Sequence, residues 1–132
     1  MEILVTVGGL IKYKDFYLFV KTTKWKGKWG IPGGKVKPGE NLLVALVREI
    51  KEETNLNLNK KNCKYLTFFE SIFDKEFYKK THMIMFNYLV NVKTIKNLKF
   101  NEEISDHIFL KKDEFKKIKM NKYTLKLIKL IK

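Results

Sequence analysis

The positions of glycine and proline constrain this chain more than any other feature of its sequence. All seven glycines and both prolines lie before residue 40, and seven of these nine residues fall between Gly27 and Gly39. Glycine adopts backbone conformations that other residues avoid, and proline lacks the N–H donor that helices and central strands need. The segment 27–39 is therefore expected to be a loop or a tightly bent strand, with regular elements on either side of it.

Strands are predicted on both sides of this segment. Two runs rich in β-branched and aromatic residues precede it, at residues 3–13 and 16–22, with Lys14 and Asp15 as the turn between them. Such runs are typical of strands in a hairpin. Three further strands are predicted at residues 64–73, 81–92 and 107–110. A loop over residues 74–80 is expected to join the first two of these.

A helix is predicted at residues 42–54, directly after the glycine-rich segment. Its apolar side chains recur at helical spacing, at Leu42, Leu43, Leu46, Val47 and Ile50. Asn41 is a good N-cap, and Asn55 suits the left-handed position that ends many helices. A second helix is predicted to begin near Asp113, and residues 123–131 form a third amphipathic segment.

The length of the chain indicates one domain, spanning residues 1–132. Its longest apolar run, residues 42–47, is far shorter than the roughly 20 residues that span a bilayer, so no membrane association is expected. Cys63 is the only cysteine. It has no partner for an internal disulfide, which favours a reducing, cytoplasmic setting.

The charge of the chain is strongly positive, at +14. A basic surface attracts polyanions such as nucleotides or nucleic acid. However, 27 of the 28 basic residues are lysines spread along the chain, and this pattern favours a general composition bias. Arg48 is the only arginine, and its planar fork suits bidentate pairing with carboxylates in a way that lysine cannot reproduce.

Three glutamates of the predicted helix point to metal chemistry. Glu49, Glu52 and Glu53 lie at i, i+3 and i+4, and therefore share one helical face. Their mutual repulsion disappears when a divalent cation lies among them, and Mg²⁺ prefers such oxygen ligands. Glycine N–H groups at the helix start are suited to phosphate oxygens. An ordinary solvated helix with an acidic stripe is the competing interpretation.

The fixed spacing across residues 34–56 is more specific than these glutamates alone. It reads Gly34, five residues, Glu40, seven residues, and then Arg48-Glu49-Ile50-Lys51-Glu52-Glu53-Thr54-Asn55-Leu56. This string resembles the signature of the Nudix family (MutT-like) and matches eight of its nine specified positions. The departure is Asn55, where the family has glycine. The preceding string Trp29-Gly-Ile-Pro-Gly-Gly34 also resembles the family's lead-in.

The resemblance implies an α/β/α sandwich with a central mixed β-sheet, and a Mg²⁺ site in which Mn²⁺ can substitute. The implied metal ligands are the Gly34 carbonyl and the carboxylates of Glu49, Glu52 and Glu53. Glu40 is expected to contribute through water, and Arg48 to orient the carboxylates.

The resemblance also bears on the general base, which varies among branches of the family. Glu103 is the candidate auxiliary acid or metal ligand outside the signature. A solvated loop charge is the competing interpretation of this residue.

The reaction that the resemblance implies is hydrolysis of a nucleoside diphosphate linked to another moiety, with release of a nucleoside monophosphate. Two substrate groups remain open: nucleoside triphosphates, including oxidised ones, and nucleotide sugars such as ADP-ribose. The competing functions are an RNA-end hydrolase of the decapping type and a non-catalytic basic module that binds nucleotides or RNA. Nucleic acid is not the favoured partner. A homodimer is compatible with the family, but no surface is identified for it.

Several other residues have both a functional and a structural interpretation. Trp25 and Trp29 are expected either to stack on a nucleobase or to pack in the core. Lys35 and Lys37 flank the glycine loop and are candidates to hold phosphate. His82 and His107 are expected to be structural.

Overall fold

The computed structural model describes residues 1–131 and contains a six-stranded sheet. In chain order its strands are β1 (Ile3–Tyr13), β2 (Phe16–Lys21), β3 (Gly33–Lys35), β4 (Cys63–Ile72), β5 (His82–Val92) and β6 (Asp106–Leu110). The described helices are α1 (Leu42–Thr54), α2 (Lys122–Ile128) and three short 3-10 helices at Thr23–Trp25, Lys60–Asn62 and Lys112–Lys117. Across residues 1–131, no helix is long and apolar enough to cross a membrane.

The sheet is mixed because its central strand β1 has both parallel and antiparallel neighbours. The strand order is β4-β5-β1-β2-β6. β1 runs parallel to β5 along its whole length and antiparallel to β2 only at residues 11–13. The early departure of β2 leaves residues 6–8 of β1 free to pair with β3, which brings the glycine-rich segment onto the sheet.

Helices cover both faces of the sheet, because successive residues of a strand point to opposite sides. On one face, Val7 and Ile11 of β1 belong to a core with Ala45, Leu46 and Ile50 of α1. On the other face, Leu10 and Phe19 belong to a second core with Trp29, Met120 and Leu127 of α2. The expected α/β/α sandwich with a central mixed sheet is therefore confirmed.

Helix α1 has the bounds that the sequence predicts, and asparagine side chains determine both of its ends. The Asn41 side chain accepts a hydrogen bond from the Val44 N–H at 2.9 Å. Asn55 adopts the left-handed conformation, with φ of 63°, and its N–H donates to the Lys51 carbonyl. Its side-chain amide also donates to the Asn97 carbonyl at 2.9 Å. Asn55 thus ties the end of α1 to a distant loop, which glycine at this position could not do.

Other elements differ from the prediction in detail. The segment 27–39, expected to be a loop or a tightly bent strand, contains the short strand β3, although its two glycines and lysine carry no strand signal of their own. Its pairing with β1 comes from tertiary structure. The helix predicted near Asp113 is a 3-10 helix, and α2 ends at Ile128 rather than at residue 131. β2 ends one residue early, because the Thr22 side chain caps the following 3-10 helix.

Replacing Asn55 tests its role at the end of α1. Asn55→Ala is expected to lower the free energy of unfolding by about 1 to 2 kcal/mol, since alanine is strained in the left-handed region. Asn55→Gly removes this strain but loses the bond to the Asn97 carbonyl, so it is expected to stay close to wild type. Urea unfolding of the three proteins measures the difference. Equal destabilisation by alanine and glycine would show that the side-chain bond, not the backbone conformation, dominates.

Candidate active site

The site begins where the glycine strand β3 passes between β1 and helix α1. A Cβ atom on Gly33 would lie 2.0 Å from the Val7 carbonyl oxygen, and one on Gly34 would lie 2.4 Å from the carboxylate of Glu49. Both separations are far below van der Waals contact. At Gly33 the obstacle is backbone, so this position admits no side chain, whereas at Gly34 the Glu49 carboxylate would have to move away. Gly33 therefore allows the backbone of β3 to approach β1, and Gly34 allows it to approach the acidic face of α1.

Arg48 organises the carboxylates at this approach. Its Nε and Nη2 donate to the two carboxylate oxygens of Glu40, at 2.6 and 2.8 Å. Its Nη1 donates to Glu49 at 2.9 Å and lies 3.3 Å from a Glu52 oxygen. Its Nη2 also donates to the Lys35 carbonyl at 3.0 Å. A lysine ammonium cannot reach this set of acceptors at once, which gives a physical reason for the single arginine of the chain.

Glu40 is tightly engaged by its neighbours. Its carboxylate accepts the two Arg48 bonds and a third from the Lys37 N–H at 2.8 Å. The Arg48 bond, followed by the Lys37 bond, lowers the pKa of Glu40 to about 2. Glu40 is therefore ionised across the working range of pH and braces Arg48 against the start of α1.

Glu53 is the buried carboxyl of the cluster, with 3% of its surface exposed. Its Oε1 accepts a hydrogen bond from the Gly33 N–H at 2.8 Å. Burial raises the pKa of Glu53 to about 8 in the metal-free protein. The Gly33 bond opposes this rise, and the carboxyls of Glu103 and Glu49 contribute to it.

Glu103 reaches the cluster from the loop before β6. Its carboxyl lies close enough to Glu53 to raise the pKa of that residue. The loop is attached to the end of α1 because the Asn101 N–H donates to the Glu53 carbonyl at 3.1 Å, and the Asn101 side chain accepts from the Glu103 N–H. The structure thus brings Glu103 to the glutamates of the signature, although some fifty residues separate them in sequence.

Glu49 completes the cluster, whereas Glu52 stands at its solvent edge. Burial raises the pKa of Glu49, as do the neighbouring Glu52 and Glu103, while Arg48 opposes the rise. The Glu52 side chain is 51% exposed. A divalent cation bound among Glu49, Glu53 and Glu103 would relieve the repulsion that raises the pKa of Glu49 and Glu53.

The donor set fits a hard divalent cation. Within residues 1–131, no three acidic, histidine or cysteine side chains form a ready-made metal cage, since Arg48 and the Gly33 N–H already engage the carboxylates. Mg²⁺ keeps several waters and needs only one or two carboxylates beside substrate phosphate, so a full cage is not required. Every side-chain donor here is a carboxylate oxygen, which is the chemistry that Mg²⁺ prefers.

A cavity lies on the other side of β3, and Gly33, Gly34 and Lys35 line it as well. Its walls are mainly apolar and aromatic, and include Trp25, Ile31, Phe77, Met83, Met85 and Tyr123. Three lysines, Lys24, Lys35 and Lys79, lie along it, and none of the described lining residues is acidic. Such a wall suits a flat apolar group attached to an anion.

Two buried asparagines supply polar contacts in this cavity. The Asn87 side-chain amide donates to the Met85 carbonyl at 3.2 Å, which leaves its oxygen as an acceptor. The Asn121 oxygen caps α2 by accepting from the Thr124 N–H at 2.9 Å, which leaves its amide as a donor. The cavity therefore offers both a hydrogen-bond acceptor and a donor beside its apolar walls.

The structure also places the other residues that had both a functional and a structural interpretation. Trp25 lines the cavity, whereas Trp29 is buried in the core beneath α2. Lys37 contributes its backbone N–H to Glu40. His82 pairs with Glu70 at 2.8 Å on β4, and His107 stacks on Phe100, so both lie outside the site.

The sequence interpretation missed much of the cavity. The residues concerned are Phe77, Tyr78, Asn87, Asn121 and Tyr123. They come from three separate parts of the chain and share no motif. Only their proximity in the fold identifies them.

The stability of the metal-free protein is expected to depend on Glu53. Because the folded state holds the Glu53 proton up to about pH 8 and the unfolded state releases it near 4.5, the stabilisation is complete below 4.5 and is lost as the pH rises toward 8. Thermal melting in EDTA is expected to show wild type losing stability relative to Glu53→Gln over this window, while the control Glu70→Gln follows wild type. Parallel curves for wild type and Glu53→Gln would contradict the assignment.

Comparison with known proteins agrees with this geometry. A family model described as the NUDIX domain matches residues 4–131. The nucleoside triphosphatase NudI of Escherichia coli (strain K12) is 30% identical over 128 residues, which cover 92% of this chain and 91% of that protein.

Solved structures share the fold along the whole chain. The crystal structure of MutT NUDIX hydrolase from Burkholderia pseudomallei has a TM-score of 0.84 at 22% identity, with 100% of both chains covered. The NUDIX domain of Shewanella oneidensis NrtR complexed with ADP ribose has a TM-score of 0.78 at 17% identity, with 98% of this chain and 86% of that one covered. These likenesses show the fold, and the family model and the NudI relative show that the chain belongs to the Nudix family and is a hydrolase of phosphorus anhydride bonds.

Proposed function

We propose that this Nudix hydrolase is a Mg²⁺-dependent nucleoside triphosphate pyrophosphohydrolase, with Mn²⁺ as a substitute metal. The observation that carries the proposal is that one glycine strand, Gly33–Lys35, borders both the acidic cluster and the aromatic cavity. A substrate that lies across this strand has its phosphates on the acidic side and its base in the cavity. The products are a nucleoside monophosphate and inorganic diphosphate.

The proposed metal ligands are Glu49, Glu52, Glu53 and the Gly34 carbonyl. A bound Mg²⁺ supplies charge neutralisation for the phosphates and lowers the pKa of a coordinated water. Lys24, Lys35 and Lys79 line the cavity and attract the remaining phosphate charge. The absence of acids from the cavity lining prevents repulsion of the incoming anion.

The protein groups are proposed to divide the remaining work. Arg48 holds Glu49 and Glu40 in fixed orientations through its fork. A Glu103 carboxylate oxygen is the candidate acceptor for the proton of the attacking water, since Glu103 lies beside Glu53 without being part of α1. Water adds to one phosphorus of the anhydride as the bridging oxygen leaves with the other, so one P–O bond forms and one breaks.

A nucleoside triphosphate is favoured over ADP-ribose as substrate. The relative that covers almost the whole chain is named a nucleoside triphosphatase, whereas the neighbour solved with ADP ribose is only 17% identical. The retained Glu49, Glu52 and Glu53, held close together with Glu103, also disfavour a non-catalytic binding module. Within the triphosphates, the base is the unassigned part of the substrate.

Identification of the products tests the proposal directly. The purified protein with Mg²⁺ is incubated with the common ribo- and deoxyribonucleoside triphosphates, an oxidised triphosphate, ADP-ribose and a capped RNA oligonucleotide. Chromatography is expected to show monophosphate and diphosphate formed from at least one triphosphate. Glu53→Gln is expected to lose at least about a hundredfold in turnover, since several kcal/mol of charge stabilisation depend on the metal site. The control Glu70→Gln is expected to match wild type.

Each alternative result has its own meaning. Cleavage of ADP-ribose or capped RNA alone would overturn the substrate class but keep the hydrolase chemistry. Release of inorganic phosphate from a triphosphate would show that the enzyme cleaves a different phosphoanhydride bond from the one proposed. If nothing is cleaved with Mg²⁺ or Mn²⁺, the proposed activity is wrong.

The fork of Arg48 provides a second test. Arg48→Lys keeps the positive charge but loses most of the bonds to Glu40, Glu49 and the Lys35 carbonyl. Turnover is expected to fall by about 10- to 100-fold, the usual cost of disturbing groups that orient metal ligands. The reverse exchange Lys51→Arg, on the same helix, is the control and is expected to have no effect. Wild-type turnover of Arg48→Lys, measured at saturating substrate, would show that charge alone suffices.

A further inference from the structure

The outer wall of the cavity is built from two loops and the start of α2. Trp25 comes from the 3-10 helix after β2, and Phe77 comes from the loop between β4 and β5. Their rings meet edge to face with centroids 4.8 Å apart, and the Tyr123 ring lies 5.8 Å from Trp25. A single backbone bond joins the loops, from the Tyr78 N–H to the Lys24 carbonyl at 2.8 Å.

Apolar burial contributes little to holding this wall in place. No apolar residue from 72 to 80 is fully buried, and the 3-10 helix of Trp25 contains no buried residue either. The inner side of the wall faces the cavity rather than a packed core. Some other interaction must therefore hold the aromatic rings in register with the cavity.

A group of polar contacts provides that interaction. The Asp74 carboxylate accepts from the Tyr123 hydroxyl at 2.7 Å, the Lys122 Nζ at 2.9 Å and the Glu76 N–H at 2.8 Å. Glu76 in turn pairs with Lys28 and accepts from the Lys122 N–H at 3.2 Å. These five residues, Lys28, Asp74, Glu76, Lys122 and Tyr123, are called the latch below. The latch joins both loops to α2.

Asp74 is the central residue of the latch. Its side chain is only 5% exposed, which is unusual for a carboxylate in a loop between two strands. Burial alone would raise the pKa of Asp74, but the donors from Tyr123, Glu76 and Lys122 outweigh burial and lower it. A buried carboxylate with three donors fixes the directions of all three, so Asp74 determines where the Tyr123 ring stands.

We propose that Asp74 and Lys122 are positioning residues for substrate binding, which hold Tyr123 and the loop 74–80 against Trp25 and so fix the aromatic wall on which the base of the substrate stacks. This inference rests on the proposed function, because the base is the part of that substrate that the cavity would hold. The latch lies away from Glu49, Glu53 and the other carboxylates of the cluster. It therefore acts on binding of the nucleoside and not on the chemical step.

Binding of nucleoside monophosphates tests the proposal without turnover. Calorimetric titration of wild type with AMP, GMP, CMP and UMP selects the one that binds most tightly, and inorganic diphosphate with Mg²⁺ serves as the ligand that lacks a base. For Asp74→Asn, the Kd of the selected monophosphate is expected to rise about tenfold, the size of a lost hydrogen bond to a charged group. The Kd of diphosphate and the kcat at saturating substrate are expected to remain at the wild-type values.

Lys122 provides a test with little risk to folding, because its side chain is 49% exposed. Lys122→Met is expected to raise the Kd of the monophosphate about threefold, as suits a partly exposed ion pair. Lys122→Arg, which keeps a charged donor for Asp74, is expected to restore wild-type binding. The matched control is Lys117→Met, which removes a lysine paired with Glu114 on the surface. It is expected to change nothing.

Tryptophan emission reports the position of the wall in the absence of ligand. Trp25 is expected to become more exposed to water in Asp74→Asn, with a shift of emission to longer wavelength, while the buried Trp29 contributes a constant signal. A purely structural role of Asp74 would instead lower the melting temperature and weaken monophosphate and diphosphate binding together.

Three results would overturn the proposal. The first is a wild-type Kd of the monophosphate in Asp74→Asn and Lys122→Met. The second is an equal rise in the Kd of the monophosphate and of diphosphate. The third is that no monophosphate binds to wild type. Failure of this proposal can be distinguished from failure of the proposed function. If no substrate is hydrolysed while monophosphate binding still depends on the latch, the proposed activity fails and the latch stands.

Discussion

The close approach of the strand Gly33–Lys35 to helix α1 is the contact on which the site depends. The absence of a side chain at Gly34 lets the backbone lie against the carboxylate of Glu49. Its absence at Gly33 lets the strand lie against β1, where the Gly33 N–H reaches Glu53. The same strand occupies the stretch of β1 that β2 leaves unpaired. One short segment thus connects the sheet, the acidic face of the helix and the cavity, so a side chain at either glycine would disturb all three.

Arg48 makes this approach compatible with a cluster of like charges. Its bonds to Glu40, Glu49 and the Lys35 carbonyl join the end of β3 to the helix, and its charge offsets part of the repulsion. Arg48 does not stabilise the negative charge of all these carboxylates equally. Glu40 is strongly stabilised as an anion, whereas burial raises the pKa of Glu49 and Glu53. Glu49, whose pKa is raised despite its bond to Arg48, and Glu53, which Arg48 does not contact, are both proposed to bind metal, so a second positive charge is needed there.

The sequence could predict those features that rest on local rules. Apolar spacing determines α1, and the capping chemistry of Asn41 and Asn55 determines its ends, so the predicted bounds are confirmed. Glu103 was a harder case, because only the loop attachment through Asn101 brings it to Glu53. A tightly bent strand was one expectation for the segment 27–39, but the pairing of β3 with β1 and the lining of the cavity could not be predicted, since both depend on contacts between distant segments. Trp25 and Trp29 illustrate the limit: identical residues four positions apart have different roles because one faces the cavity and one the core.

The excess of lysine makes the placement of acids informative. The chain has only 14 acidic residues against 28 basic ones. Five of them, Glu40, Glu49, Glu52, Glu53 and Glu103, belong to the acidic cluster, and Asp74 and Glu76 belong to the latch. Half of the negative charge therefore lies at two places on either side of the glycine strand, and none of it lines the cavity between them. At the cavity an anionic substrate therefore meets lysines and no carboxylates. The lysines are spread along the chain, as a composition bias predicts, whereas half of the acidic residues lie in the acidic cluster and the latch.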